Sequence, residues 1–198
     1  MGYGLRPYQF TSGGYNSGGF TEYPIVDGET DNMFAGCLML QEDTGYVTAL
    51  ALTPTGATSV LSTIGAAIGS RYVDPNGTPT WAQYYNGNAD NTAAFAFVAD
   101  NPEQRFLVLS DGATVQADMG LNADVVSATG TPTEIETGNT TTGNSSIVLD
   151  FSSQAVTATL GLRLISIPKD GVNENSSTPN VEVKINPDCH QLIRSTGF

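Results

Sequence analysis

Two short apolar runs separated by a tight turn constrain the fold of this chain more than any other feature. The runs Ala93–Ala99 and Arg105–Ser110 flank the turn Asp100-Asn101-Pro102. Each run is about as long as a β-strand, is too short for a typical helix, and carries no charge within its apolar core. Asp and Asn bend the backbone through side-chain hydrogen bonds, and Pro102 fixes φ and removes an amide donor. We therefore predict two strands at the centre of a β core.

The rest of the chain repeats this pattern of short apolar runs and turn residues. Beside the central pair, we predict strands at 23–26, 33–41, 46–52, 66–73, 121–129, 147–151, 156–167 and 180–186, and a short last strand at 190–194. The run 156–167 is predicted to be the longest. The run 180–186 has the cleanest alternation, with Val181, Val183 and Ile185 facing inward and Glu182 and Lys184 facing outward.

The whole pattern predicts an all-β fold, either a β-sandwich or a β-barrel of about ten short strands. Turn signals recur at the spacing that is typical of these architectures, and no stretch has the period of an amphipathic helix. With 198 residues, the chain is long enough to bury a sizeable core without a disulfide or a metal.

Residues 1–22 differ from the rest of the chain, because glycine pairs alternate there with aromatic residues and no regular period is visible. A flexible tail is one interpretation. We favour an extended arm that docks on a neighbouring surface, because aromatic rings supply contact area at little entropic cost. The remaining residues, 23–198, are predicted to form a single β domain.

The net charge of −13, from twenty acidic and seven basic residues, argues against nucleic-acid binding. Such a surface repels phosphate groups, so we expect no direct nucleic-acid partner. No apolar run approaches 18 residues, so we expect no transmembrane helix and no membrane partner. The beginning of the sequence has neither a basic start nor an apolar core, so we expect no secretory signal.

The sequence contains no convincing catalytic constellation, and we predict that the protein is not an enzyme. Its single histidine, His190, adjoins Cys189, but neighbours on a strand point to opposite faces and cannot form a dyad. His190 is expected to lie on the surface or to be hydrogen-bonded. Cys37 and Cys189 are far apart in sequence, and we favour two buried free thiols over a disulfide.

We predict no metal and no cofactor. Asp27, Glu29 and Asp31 have the spacing of the first calcium ligands in an EF-hand. The sixth position is Asn32 instead of glycine and the twelfth is Leu38 instead of glutamate, so that pattern fails. A solvated acidic loop is the default interpretation, and a calcium site of another type is the alternative.

Several short segments together carry a resemblance to a known family. They are Gly4-Leu5-Arg6-Pro7, Met33-Phe34-Ala35-Gly36, Tyr72-Val73-Asp74-Pro75-Asn76-Gly77 ahead of Trp81, Phe97-Val98-Ala99-Asp100-Asn101-Pro102 ahead of Phe106, Gly161-Leu162-Arg163-Leu164 and Lys184-Ile185-Asn186. With these segments the chain resembles small virion proteins of tailed phages that lie on the head beside the major capsid protein. Members of this family are described as decoration or cement proteins.

The resemblance implies a structural protein that binds and stabilises the capsid lattice, with no active site. The major capsid protein would be its partner, and the acid excess favours the outer capsid face, because packaged DNA lines the inside. The protein would be made in the host cytoplasm. A homo-oligomer would suit the role, for example a trimer at a threefold junction. The predicted capsid-contact residues of the arm are Tyr3, Leu5, Arg6, Tyr8, Phe10, Tyr15 and Phe20.

A carbohydrate-binding or receptor-adhesion module of a virion tail or fibre is the alternative function. In that case Trp81, Tyr84 and Tyr85 would form an exposed aromatic platform for a sugar, and burial of Trp81 would exclude it. A β-fold hydrolase that uses scattered acids ranks last, because most acids occur where turn formation explains them.

Overall fold

Two antiparallel β-sheets that share one hydrophobic core form the fold. The structure is a computed structural model that describes residues 2–11, 19–50, 62–128 and 138–195. In this part of the chain it contains fifteen strands, and every other regular element is a single turn of 3₁₀ helix. The prediction of an all-β sandwich of short strands is therefore confirmed. The strands at 6–10, 79–82, 138–139 and 144–145 were not predicted, and the predicted strand 121–129 is divided into two shorter strands at 122–123 and 125–127.

The five-stranded sheet has the order β1 (Arg6–Phe10), β8 (Gln104–Leu109), β15 (Asn180–Ile185), β14 (Leu162–Ser166) and β9 (Asn122–Ala123). The six-stranded sheet has the order β2 (Thr21–Pro24), β7 (Thr92–Ala99), β5 (Gly65–Val73), β3 (Leu38–Gln41) and β4 (Val47–Ala49), and β6 (Pro79–Ala82) pairs with the second half of β5. Two small pairs join β10 (Val125–Ser127) to β13 (Ile147–Leu149) and β11 (Gly138–Asn139) to β12 (Asn144–Ser145). The 3₁₀ turns span Gln116–Asp118, Phe151–Ser153, Asn173–Asn175 and Pro187–Cys189.

The predicted central strands are confirmed, but they belong to different sheets. β7 lies in the six-stranded sheet and β8 in the five-stranded sheet, so the turn between them carries the chain across the sandwich. Ala94, Ala96 and Val98 from β7 meet Phe106 and Val108 from β8 in the shared core. This alternation is the period-2 pattern of strands that bury one face.

Proline positions agree with the sheet order. Pro7 lies in β1, Pro24 in β2 and Pro79 in β6, and each of these strands pairs with a named strand on one side only. Proline cannot donate a ladder hydrogen bond, so it is tolerated at sheet edges and also discourages further strands from adding there.

Two strand predictions near the C-terminus are wrong. β14 begins only at Leu162, and β5 is the longest strand instead. The chain turns before Leu162 because Asn186 Nδ2 donates to Leu160 O at 2.6 Å and Gly161 N donates to the Asp124 carboxylate at 3.0 Å. The segment 190–194 forms a turn instead of a strand, because Ile193 N and Arg194 N both donate to His190 O.

The N-terminal segment is built into the sandwich at a crossing of two glycines. Leu5 is buried in the core, and its amide donates to Gly36 O at 2.9 Å. Gly4 and Gly36 both have positive φ, and a Cβ on Gly4 would lie 2.6 Å from Gly36 O. The two backbones can therefore approach this closely only without side chains at either position.

Gly4→Ala is expected to destabilise the protein far more than Gly45→Ala. Both glycines have positive φ, but the space around Gly45 is open. Gly45→Ala should cost about 1 kcal/mol of unfolding free energy from the backbone conformation alone. Gly4→Ala must also displace the Gly36 backbone and should cost about 3 kcal/mol or more. Urea unfolding at neutral pH measures both, and equal losses would contradict the close crossing.

Candidate binding surfaces

The structure divides the predicted capsid-contact residues by exposure. Arg6, Tyr8 and Phe20 are exposed, Tyr3 and Phe10 are half-buried, Leu5 is in the core, and Tyr15 lies outside the described residues. Leu5 is therefore committed to the chain's own fold, whereas Arg6, Tyr8 and Phe20 can meet another molecule.

The segment that contains these residues lies along its own domain instead of apart from it. Residues 6–10 form β1 on the edge of the five-stranded sheet, and residues 21–24 form β2 on the edge of the six-stranded sheet. The apolar side chain of Leu5 and the glycine at position 4 explain this placement, because together they let the chain enter the core.

A buried carboxylate, Glu182, holds β1 in place. Gln9 Nε2 donates to Glu182 Oε1 at 2.6 Å, Arg105 Nη1 donates to the same oxygen at 2.9 Å, and Ser166 Oγ donates to Oε2 at 2.5 Å. Tyr3 OH adds a bond to Asn180 Oδ1. Glu182 lies on the outward face of β15, as predicted, but it does not meet solvent there, because the residue is only 3% exposed. Its outward-facing position is covered by the partners that it binds.

The pKa of Glu182 reflects two opposing effects. Burial raises it, but the hydrogen bonds from Ser166, Gln9 and Arg105 and the charge of Arg105 outweigh burial, and the net pKa lies below the usual 4.5. A carboxylate whose pKa is lowered on folding stabilises the folded state above its unfolded pKa. This contribution disappears as the pH falls through the lower pKa of the folded state.

Glu182→Gln is expected to lower the unfolding free energy by about 2–4 kcal/mol at pH 7, because it breaks a buried ion pair and leaves Arg105 uncompensated. The difference in unfolding free energy from the wild type should shrink as the pH is lowered below 4.5.

Glu103→Gln is the control: Glu103 also pairs with a base, Lys184, at 2.8 Å, but its side chain is 56% exposed. That variant should lose less than about 1 kcal/mol. Thermal unfolding across pH measures both, and equal losses at pH 7 would contradict the assigned role of Glu182.

We call Arg6, Tyr8 and the cleft that Arg6 lines the N-terminal flank. The guanidinium carbon of Arg6 lies 4.1 Å from the ring centroid of Tyr3, and no carboxylate in the described ranges forms an ion pair with it. The cleft has a volume of about 280 Å³ and is lined by Tyr3, Arg6, Pro7, Ile68, Gln83 and Asn144, among others. The cleft thus combines apolar and amide groups with the positive charge of Arg6.

Three aromatic rings form a second surface on the outer face of the six-stranded sheet. Phe97 lies between the other two rings, with its centroid 4.8 Å from that of Phe20 and 5.6 Å from that of Trp81. Trp81 is 69% exposed and Phe20 is 46% exposed, whereas Phe97 is largely covered. We call Phe20, Phe97 and Trp81 the aromatic row.

Gly69 allows the row to form across β5. It pairs with Phe97, and a Cβ at this position would lie 3.3 Å from the Phe97 ring and 3.1 Å from Ala82 O. Without a side chain on β5 at this point, Trp81 on β6 reaches across the strand to Phe97 on β7.

A polar pair lies beside the aromatic row. Arg71 pairs with both Phe95 and Trp81 in the sheet, and its guanidinium carbon lies 4.0 Å from the Phe95 ring centroid. Nε and Nη2 of Arg71 donate to Glu22 Oε2 at 3.1 and 2.8 Å. This outer face therefore carries aromatic rings and one charge pair that neutralises itself.

The aromatic platform differs from the predicted one. Trp81 is exposed as the alternative function requires, but Tyr85 is fully buried and its hydroxyl donates to Glu29 O at 3.1 Å. Tyr84 stacks on Phe34 with a centroid distance of 4.9 Å. Trp81 instead contacts the largely covered Phe97, which in turn contacts the exposed Phe20, and both residues are distant from Trp81 in sequence.

Among the described residues, neither Cys37 nor Cys189 forms a hydrogen bond with the side chain of His190. The thiol of Cys189 points toward Leu160 O, and burial raises its pKa to about 11. Cys37 is fully buried, and its pKa is raised to about 12 by the same cause. Both cysteines are free, as predicted. His190 is buried, its Nδ1 accepts from Leu192 N at 3.3 Å, and burial lowers its pKa.

The acidic loop at residues 27–31 forms local turns. Glu29 Oε1 accepts from Thr30 N at 2.8 Å and from Asp31 N at 3.0 Å, which explains its position without a cation. Within the described ranges, no group of three or more His, Cys, Asp or Glu side chains is arranged to hold a metal ion.

The chain matches no protein-family model, no curated protein and no solved structure. In the part of the chain that the structure covers, no helix is long and apolar enough to cross a membrane.

Proposed function

We propose that this chain is a non-enzymatic structural protein of a tailed-phage virion that binds the outside of the capsid and stabilises the lattice of the major capsid protein. The sequence resemblance supports this role. The net charge of −13 supports the outer face, because an acidic protein is repelled by packaged DNA.

The observation that carries the proposal is the N-terminal flank. Tyr8 is 39% exposed, and Arg6 is exposed beside a cleft that can take a partner's side chain. Tyrosine and arginine contribute much of the binding energy at protein interfaces. Because Glu182, Asn180 and the glycine crossing fix β1, the backbone that carries these side chains is held in place before binding, and little backbone entropy is lost on contact.

A homo-oligomer fits the same role. Linked copies on a lattice gain avidity when each copy makes only a modest contact. A trimer at a threefold junction is the arrangement that we propose.

The double variant Arg6→Ala/Tyr8→Ala is expected to bind expanded capsids at least about tenfold more weakly than the wild type, because it removes two anchors of the interface. Tyr46→Ala is the matched control, since Tyr46 has the same 39% exposure on the β3–β4 hairpin. Co-sedimentation with purified expanded capsids measures the affinity.

Point variants are required, because deletion of residues 1–22 would remove β1, Leu5 and half of β2 and would test folding instead of binding. The capsid role is refuted if the wild-type protein does not bind expanded capsids. The role of the N-terminal flank is refuted if the double variant binds as tightly as Tyr46→Ala.

A further inference from the structure

We infer that the aromatic row is a binding platform for a neutral oligosaccharide. This inference is independent of the N-terminal flank, because it concerns Phe20, Phe97 and Trp81 on the outer face of the six-stranded sheet, and it assigns Phe20 to this surface instead of to the capsid contacts.

The rings are held in place without a ligand. Phe97 supports both exposed rings, with interplanar angles of 39° to Phe20 and 34° to Trp81. Because residue 69 is a glycine, no side chain on β5 separates Trp81 from Phe97. Sugar rings have apolar C–H faces that pack on aromatic rings. An aromatic side chain that is already fixed in place binds them with little loss of rotamer entropy.

The polar pair beside the row supplies hydrogen-bonding groups for hydroxyls. The Arg71–Glu22 pair uses Nε and Nη2 of Arg71 and Oε2 of Glu22, so Nη1 and Oε1 lie outside the hydrogen bonds of this pair. A ligand site typically combines apolar walls with a few oriented polar groups, and the outer face has both.

The charges around the row favour a neutral ligand. Arg71 already occupies the cation position over Phe95, and its charge is balanced by Glu22. A cationic ligand would therefore meet Arg71, while an anionic ligand would meet Glu22 and the net charge of −13. A hydroxyl-rich ligand without charge avoids both conflicts.

The arrangement of the rings favours an oligosaccharide over a single sugar. In the sheet, β2 lies on one side of β7 and β6 lies beyond β5 on the other, so Phe20 and Trp81 approach Phe97 from opposite sides and offer two separate stacking positions. Two or more linked units can stack on the row and gain from both contacts.

Trp81 is the only tryptophan in the chain, so its fluorescence reports directly on the row. The full-length protein is titrated with neutral hexasaccharides of glucose, mannose, xylose and N-acetylglucosamine, with the matching monosaccharides, and with an acidic hexasaccharide of galacturonic acid. We expect at least one neutral hexasaccharide to shift the emission with saturation. Its monosaccharide and the acidic hexasaccharide should bind at least tenfold more weakly.

Variants then assign the site by calorimetry. Trp81→Ala should lose at least tenfold in affinity and Phe20→Ala should lose less, while Tyr46→Ala should bind as the wild type does. Since Trp81 is 69% exposed, its removal should leave thermal unfolding nearly unchanged, which separates lost binding from lost folding.

The inference is overturned if no neutral hexasaccharide shifts the emission at millimolar concentration, or if Trp81→Ala retains the affinity. It is also overturned if Trp81→Ala abolishes capsid binding while no saccharide binds, because the row would then be a protein contact. Saccharide binding by the Arg6→Ala/Tyr8→Ala variant, with capsid binding by Trp81→Ala, would show that the two surfaces act separately.

Discussion

A single buried carboxylate, Glu182, connects most of the five-stranded sheet. From β15 it accepts hydrogen bonds from β1, β8 and β14, so four neighbouring strands meet at one charged group. Such a charge would be costly to bury without partners, and here Arg105 and two neutral donors offset the cost. The position of β1, and with it the N-terminal flank, depends on this cluster together with the crossing of Gly4 and Gly36.

The two proposed binding surfaces have different physical origins. The N-terminal flank lies on a sheet edge, where hydrogen bonds fix a short strand and leave Arg6 and Tyr8 exposed. The aromatic row lies on a sheet face, where the missing side chain of Gly69 lets rings from distant strands touch. In both cases glycine is the enabling residue, at Gly4 by its positive φ and at Gly69 by its lack of bulk. The same scaffold can therefore present two surfaces that do not share a side chain.

The strands that sequence reasoning predicted well are those with local signals. β5, β7, β8 and β15 combine apolar or alternating runs with strong turn residues at their ends. The burial of Glu182 was not predictable, because its partners Arg105 and Gln9 are 77 and 173 residues away in sequence. The same holds for the site: Trp81 and Tyr85 lie four residues apart in one short stretch, but only Tyr85 points into the core. Phe20 joins Trp81 through Phe97, and only the sheet order brings these three together.

The place of β1 in the sheet also has a consequence for the time course of folding. β1 is synthesised early, but it pairs with β8 and is fixed by Glu182 of β15, near the other end of the chain. Its pairing with β8 can form once β8 has been made, but its hydrogen bond to Glu182 must wait until β15 has left the ribosome, and such non-local contacts form slowly. Until then the nascent chain exposes Leu5 and an unpaired strand edge. β1 is thus made before the other described strands but completes its native contacts only after β15, and the newly made protein is most open to association with other chains during that interval.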